Sequence, residues 1–280
     1  MNMRCRLFVQ PETRRRRLYR RGNRARRKVE RVATVPETGV VRPVLGRNHP
    51  GLGPTVVLIS SESDLRAMID ERAPGETDSG RRLFISRMYA GLGVENSTVI
   101  GPVVGASYAA MLLETVVAWG AVRVLYFGWC GAVSESVSIG DILVPTKAWI
   151  DEGTSLHYGR FSGDACPPSK SLSQKLCRWI LEEEGNCLQM PVWSTDGIYR
   201  ETPRKIRHFS SRGAAAVEME CSALFTVGRF LGVEVAAVLV VSDELHGCEW
   251  RPGFRDERFR SSRRKVQAVM SNLCGLESVS

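Results

Sequence analysis

The 280-residue sequence is poor in the features that would commit it to a metal, a membrane or an oxidised scaffold. It has only four histidines, none spaced to complete a zinc site, and its eight cysteines include no Cys-x-x-Cys pair. Cys5, Cys130, Cys166, Cys177, Cys187, Cys221, Cys248 and Cys274 are scattered, several of them in apolar segments. They read as reduced packing thiols, which fits a cytoplasmic protein. No apolar run approaches the roughly 20 residues that cross a bilayer, so no membrane association is expected. The lack of an apolar h-region excludes a secretory signal peptide, while an Arg-rich transit peptide stays open.

Positive charge is abundant but badly distributed. Residues 1–31 hold thirteen Lys or Arg against two Glu, a local +11 within a chain whose total is +9, so the remainder is close to neutral. This stretch has no apolar periodicity, and its two aromatics, Phe8 and Tyr19, are too few to form a series of base-stacking platforms. It is expected to be a disordered tail whose contact with nucleic acid, if any, runs non-specifically through phosphates. Residues 32–54 are rich in Pro and Gly and read as an extended lead-in, leaving 55–280 as the folded domain.

Within 55–280, apolar β-branched runs alternate with amphipathic segments. The expected fold is α/β, a single three-layer domain with a mixed central sheet flanked by helices. Residues 214–245, AAAVEMECSALFTVGRFLGVEVAAVLVVSDEL, organise it as one βαβ-sized unit: a short strand, a helix ended by Gly232, and a second strand of almost unbroken apolar character, as in a parallel sheet. Glu218, Glu220 and Asp243 then fall at strand ends, where ligands bind in open α/β sheets. One carboxylate there can grip vicinal hydroxyls and another can move a proton. The ordinary alternative is helix punctuation, since acids in a first turn favour the helix dipole and cap its amides.

Elsewhere, an apolar strand over 122–127 runs into Gly128-Trp129-Cys130-Gly131-Ala132, read as a post-strand turn whose amides can approach an anion. A strand over 139–144 is followed from Pro145 by a long polar loop containing His157, of the kind that lines a site. A strand over 188–193 leads into Ser194-Thr195-Asp196-Gly197-Ile198-Tyr199-Arg200-Glu201, and Thr202-Pro203 opens a short helix.

Taken together, GWCGAVSESVSIGDILVP, DEGTSLHYG, STDGIYRET, AAAVEMECSALFTVGR and VLVVSDEL resemble, in order and approximate spacing, the purine nucleoside and uridine phosphorylases of the hexameric and trimeric superfamily. That superfamily also contains hydrolytic nucleosidases. The resemblance implies that Met219 and Glu220 contact ribose, that Asp243 protonates the leaving base, and that Thr195, Ile198 and Tyr199 lie against the base, with one of Arg251, Arg255 and Arg258 assisting the acid. It implies phosphate as co-substrate, no other cofactor and no metal, and a dimer-based homo-oligomer, up to a hexamer, with a neighbour supplying an arginine near Arg81 or Arg82.

The phosphate positions depart from the pattern. Where the family usually reads Arg-x-Gly-Ser/Thr, this chain has Tyr126-Phe127-Gly128-Trp129, and Glu62-Ser63-Asp64-Leu65-Arg66 stands for the usual Gly-Asp-Pro-x-Arg. Gly128, Trp129, Arg66 and Arg82 are what remains to hold phosphate. Losing an Arg and a hydroxyl together weakens an oxyanion site. Three functions stay in view: a phosphorylase with an altered phosphate site, a hydrolytic nucleosidase, and a non-catalytic nucleoside binder with Trp129 in the anion pocket.

Overall fold

The computed structural model describes residues 39–43, 52–72, 79–92, 96–159 and 163–273. The basic tail and most of the lead-in lie outside the described residues, as do Cys5 and Cys274. The chain divides into two units, Met1–Arg42 and Pro43–Ser280. Of the first, only residues 39–42 are described, with Arg42 Nε donating to the Gly39 carbonyl at 3.3 Å. The second unit carries the strands and helices.

In chain order its elements are β1 (Thr55–Ile59), α1 (Glu62–Arg72), β2 (Arg81–Leu83), β3 (Ser86–Leu92), β4 (Ser97–Gly101), α2 (Ala106–Ala118), β5 (Arg123–Ala132), β6 (Ile142–Asp151), β7 (Ala165–Cys166), α3 (Lys170–Glu184), β8 (Leu188–Thr195), α4 (Pro203–Ser211), β9 (Ala216–Glu218), α5 (Cys221–Leu231), β10 (Glu234–Glu244), β11 (Arg251–Pro252) and α6 (Glu257–Leu273). Short 3-10 turns occupy Thr154–Tyr158 and Ile198–Arg200. No helix among the described residues is long and apolar enough to cross a membrane.

The strands join in one mixed sheet, and the sheet closes on itself through β5-β10-β6-β8-β9-β5. Helices α2 and α5 cover one face, where Leu112, Val116, Leu224 and Val227 pack with Tyr126 and Val241. Helices α1, α3 and α6 cover the other, where Met68, Leu176 and Val266 pack with Phe127 and Val240. A strand buried on both faces needs apolar residues throughout, which is why β1 reads TVVLI and is buried at every position. Each such Val, Leu or Ile contributes about 1.5–3 kcal/mol by leaving water.

Strand β5 explains how the two halves of the sheet meet. Along one edge it pairs with β10 over its whole length. Along the other, its first half takes β1 as far as Ile59↔Phe127, and its end takes β9 through Gly131↔Val217 and Ala132↔Ala216. Between Phe127 and Gly131 that second edge carries neither strand.

Three local expectations are corrected. Residues 128–132 are not a turn beyond the strand but the last half of β5, because β10 runs alongside and keeps them extended. The strand expected over 139–144 begins at Ile142 and continues through Pro145 to Asp151, its pairing with β8 shifting register between Pro145 and Ala148. A proline, which has no N–H for the ladder, is accommodated at such an irregularity. Strand β9 runs antiparallel to β5 while β10 runs parallel to it, so the 214–245 unit is not a simple βαβ: β5 lies between its two strands.

Candidate active site

Glu218 ends β9 fully buried and is spent on local order. Its Oε2 accepts the backbone N–H of Glu220 and of Cys221, both at 2.7 Å, and Oε1 accepts the Ser194 hydroxyl. It caps α5, which is the ordinary role for an acid at that position. Burial pushes its carboxyl above the usual range, and the hydrogen bonds pull the other way.

Glu220, two residues on, is built differently. Its Oε1 accepts the Gly105 N–H at 2.5 Å and its Oε2 accepts the Tyr126 hydroxyl at 2.8 Å. Gly105 stands at the start of α2 with φ +89, a conformation that L side chains rarely adopt, and this turns its N–H toward the acid. Burial and the neighbouring Glu218 charge push Glu220 up to about 7. A carboxylate has about four lone-pair sites, so two bonds from the protein leave room for two more from a ligand's vicinal hydroxyls. Met219 sits half-buried between the two glutamates.

Asp243 lies on the other side of β5. The backbone of Gly131 pairs with Val217 on one flank and with Asp243 on the other, so two strand spacings, roughly 10 Å, separate these backbones. Cys130 stands between: its buried thiol is pushed up by burial and by the Asp243 and Glu218 carboxylates. The irregularity between Val241 and Asp243 releases Ser242, whose hydroxyl lies 2.6 Å from Asp243 Oδ1. The Trp250 indole N–H donates to Oδ2 at 2.9 Å, brought there because β11 folds back on β10 with Asp243 opposite Pro252.

A third acid was not singled out by its sequence position. Glu201 closes the turn that carries Ile198 and Tyr199, and burial together with the Asp243 charge pushes it up to about 7, against a lowering from Lys205. Ile198 and Tyr199 are exposed, Tyr199 almost completely at 96%. Thr195 is buried, its hydroxyl 3.4 Å from Asp151 Oδ2 and accepting the Gly197 N–H at 3.3 Å, so it shapes this turn. The arrangement can hold vicinal hydroxyls at Glu220 and move a proton at Asp243 and Glu201.

Comparison with known proteins agrees with this architecture. The sequence matches the phosphorylase superfamily over residues 54–276. The chain belongs to that family. A guanosine phosphorylase from Halorubrum lacusprofundi is 27% identical over 149 residues, 53% of this chain and 61% of that relative, so the match spans less than two thirds of the relative's length. Among solved structures, purine nucleoside phosphorylase from Toxoplasma gondii superposes with a TM-score of 0.68 at 16% identity, covering 80% of this chain and 91% of that one. AMP nucleosidase from Bacteroides thetaiotaomicron gives 0.62 at 21% identity, covering 79% and 89%. At these identities the structures speak for the fold alone, and the nucleoside phosphorylase-like α/β fold is the one present.

For a member of the phosphorylase superfamily, the residues expected at phosphate are unusually committed. Tyr126 bonds to Glu220. Trp129 donates its indole N–H to Asp64 at 2.7 Å and packs edge-on against Phe259, with ring centroids 5.1 Å apart. Arg66 pairs with Glu62 at 2.8 Å on the exposed side of α1. Arg82 donates to the Phe84 carbonyl at 3.1 Å. Gly128 lies inside β5, where a Cβ would meet the Tyr126 ring at 2.7 Å. Of the three arginines considered as helpers of the acid, Arg251 pairs with Glu244 at 2.7 Å and Arg258 with Asp141 at 3.2 Å, while Trp250 is the group on Asp243. His157 is exposed on its 3-10 turn. Tyr126 was legible as a departure from the family pattern. Glu201 and Trp250 carried no signal, because their partner Asp243 is held beside them only by the fold.

Proposed function

We propose that this chain cleaves the N-glycosidic bond of a purine or pyrimidine nucleoside and releases the free base. Glu220 accepts the 2′- and 3′-hydroxyls of the sugar, and its charge favours the oxocarbenium-like state that develops as the bond to the base lengthens. Asp243 gives the proton that the departing base requires, held by Ser242 and Trp250, and Glu201 beside it supplies a second exchangeable proton. Ile198 and Tyr199 lie along the base. The observation that carries this reading is the pairing of Gly131 on one flank with β9, which leads into Glu220 two residues past its end, and on the other with Asp243 of β10.

Water is the nucleophile that the side chains favour. Tyr126 in place of a basic residue, Trp129 turned to Asp64 and Arg66 paired with Glu62 leave little positive charge for a phosphate ion at the positions the family resemblance points to. Phosphorolysis, yielding the base and a pentose 1-phosphate, is the second reading. It is supported by the guanosine phosphorylase relative and by the edge of β5 left without a strand between Phe127 and Gly131. In either reading the protein works without a metal, as a cytoplasmic homo-oligomer assembled from dimers.

The test tracks free base by chromatography across a nucleoside panel, with and without orthophosphate. Release indifferent to phosphate supports hydrolysis, release that requires it supports phosphorolysis, and binding without release ends both. Asp243→Asn is expected to slow base release by about 100-fold or more while nucleoside binding persists. Undiminished turnover in that variant removes Asp243 from its role.

A further inference from the structure

A cationic cleft lies beside the proposed site, and the glycosidic chemistry makes no use of it. Asp151, Arg204, Lys205, His208 and Phe209 line a space of ≈ 280 Å³. Phe209 is backed by the buried Trp193 ring, stacked at 4.5 Å between centroids, so that wall is rigid. Helix α4 supplies Arg204, Lys205, Arg207 and His208 and contains no acid. Lys205 Nζ is held by Asp151 at 2.6 Å, which cancels one charge. Among the described residues no carboxylate pairs with Arg204.

Position ties this cleft to the acids. Helix α4 begins at Pro203, two residues after Glu201, and Glu201 lies within electrostatic reach of both Lys205 and Asp243. Arg207 Nη1 also reaches Cys248 Sγ at 3.9 Å, joining α4 to the turn that delivers Trp250. The volume falls below the ~300–1,000 Å³ of pockets that enclose whole drug-sized ligands, so the cleft suits a fragment of a larger molecule. Unpaired guanidinium beside a lysine is the chemistry that recognises a phosphate monoester.

We propose that this cleft binds the phosphoryl group of a nucleoside 5′-monophosphate, so that a nucleotide is the preferred substrate. The proposal rests on the glycosidic reading in one respect: with the 2′- and 3′-hydroxyls on Glu220, the 5′ position is the one left to carry phosphate. A phosphate monoester brings nearly two negative charges and three acceptor oxygens to a wall where only Asp151 is acidic.

Titration calorimetry of the full chain with adenosine, guanosine and uridine, and with their 5′-monophosphates, tests this, alongside orthophosphate alone. For at least one base the monophosphate is expected to bind about tenfold tighter than its nucleoside, the gain from one or two charge-assisted hydrogen bonds at a partly exposed site. Arg204→Glu, a change at an exposed side chain, is expected to abolish that difference, with an unaltered melting curve to show that the fold is kept. Equal binding of nucleoside and monophosphate, or a preference that survives Arg204→Glu, overturns the proposal. Orthophosphate that binds in an Arg204-dependent way while the monophosphates gain nothing overturns it in favour of a free phosphate ion. Binding is read apart from base release, so tight Arg204-dependent nucleotide binding with no released base sinks the glycosidic reading and leaves the cleft assigned.

Discussion

Burial and a charged neighbour set the behaviour of two carboxyls here, Glu201 and Glu220, each pushed up to about 7. Above the ordinary glutamate range and up to about 7, the folded protein holds protons on these groups that the unfolded chain has already lost, so stability falls as pH rises through that window. Below it both states are protonated and nothing is lost. Melting temperatures measured between about pH 4.5 and 7.5 are therefore expected to fall toward the upper end. Glu201→Gln, which keeps the shape and removes the titration, is expected to flatten part of that slope. A Glu201→Gln profile parallel to that of the wild type would show that neither burial nor the Asp243 charge holds a proton on this side chain. At this scale the sequence was only partly readable. Glu220 and Asp243 stood out through their motifs, whereas Glu201 is meaningful only because the fold puts it beside Asp243.

Between elements, the bond that most alters the family pattern joins α1, β5 and α6. Asp64 is completely buried and accepts from Arg263 through Nε at 2.8 Å and Nη2 at 2.6 Å, from Gln267 at 2.5 Å and from Trp129 at 2.7 Å. Arg263 also lies over the Trp129 ring, 4.6 Å from its centroid. Four donors on one carboxylate offset a desolvation cost that alone would neutralise it, and burial still raises its pKa on balance. Asp64→Asn leaves the half-enclosed Arg263 without its counter-charge and is expected to destabilise the fold by about 3–5 kcal/mol. Urea unfolding measures this, and a loss under about 1 kcal/mol would mean that the cluster is easily replaced by water. The sequence offered Asp64 only within Glu62-Ser63-Asp64-Leu65-Arg66, the segment that stands for a family motif. Nothing in local pattern links it to residues of the last helix.

For the whole molecule, the described sheet and its helices account for the family match over 54–276, and the basic charge is concentrated in 1–31, outside them. Removing residues 1–31 is accordingly expected to leave nucleoside turnover within about twofold of the full chain and to abolish salt-sensitive retention on a nucleic-acid column, as phosphate contacts through Lys and Arg would require. A large loss of turnover would place the tail in the working protein. Hydrophobic runs such as 56–59 and 233–241 announced their strands because a strand covered on both faces has to be apolar throughout, and the motifs around Glu220 and Asp243 announced the family. Strand direction, the closure of β5 with β9 and β10, and the extension of β5 through Gly128 and Gly131 were decided by pairing between residues far apart in the chain. Local composition cannot encode those contacts: a glycine-rich segment can turn or stay extended, and here the neighbouring strand determines which.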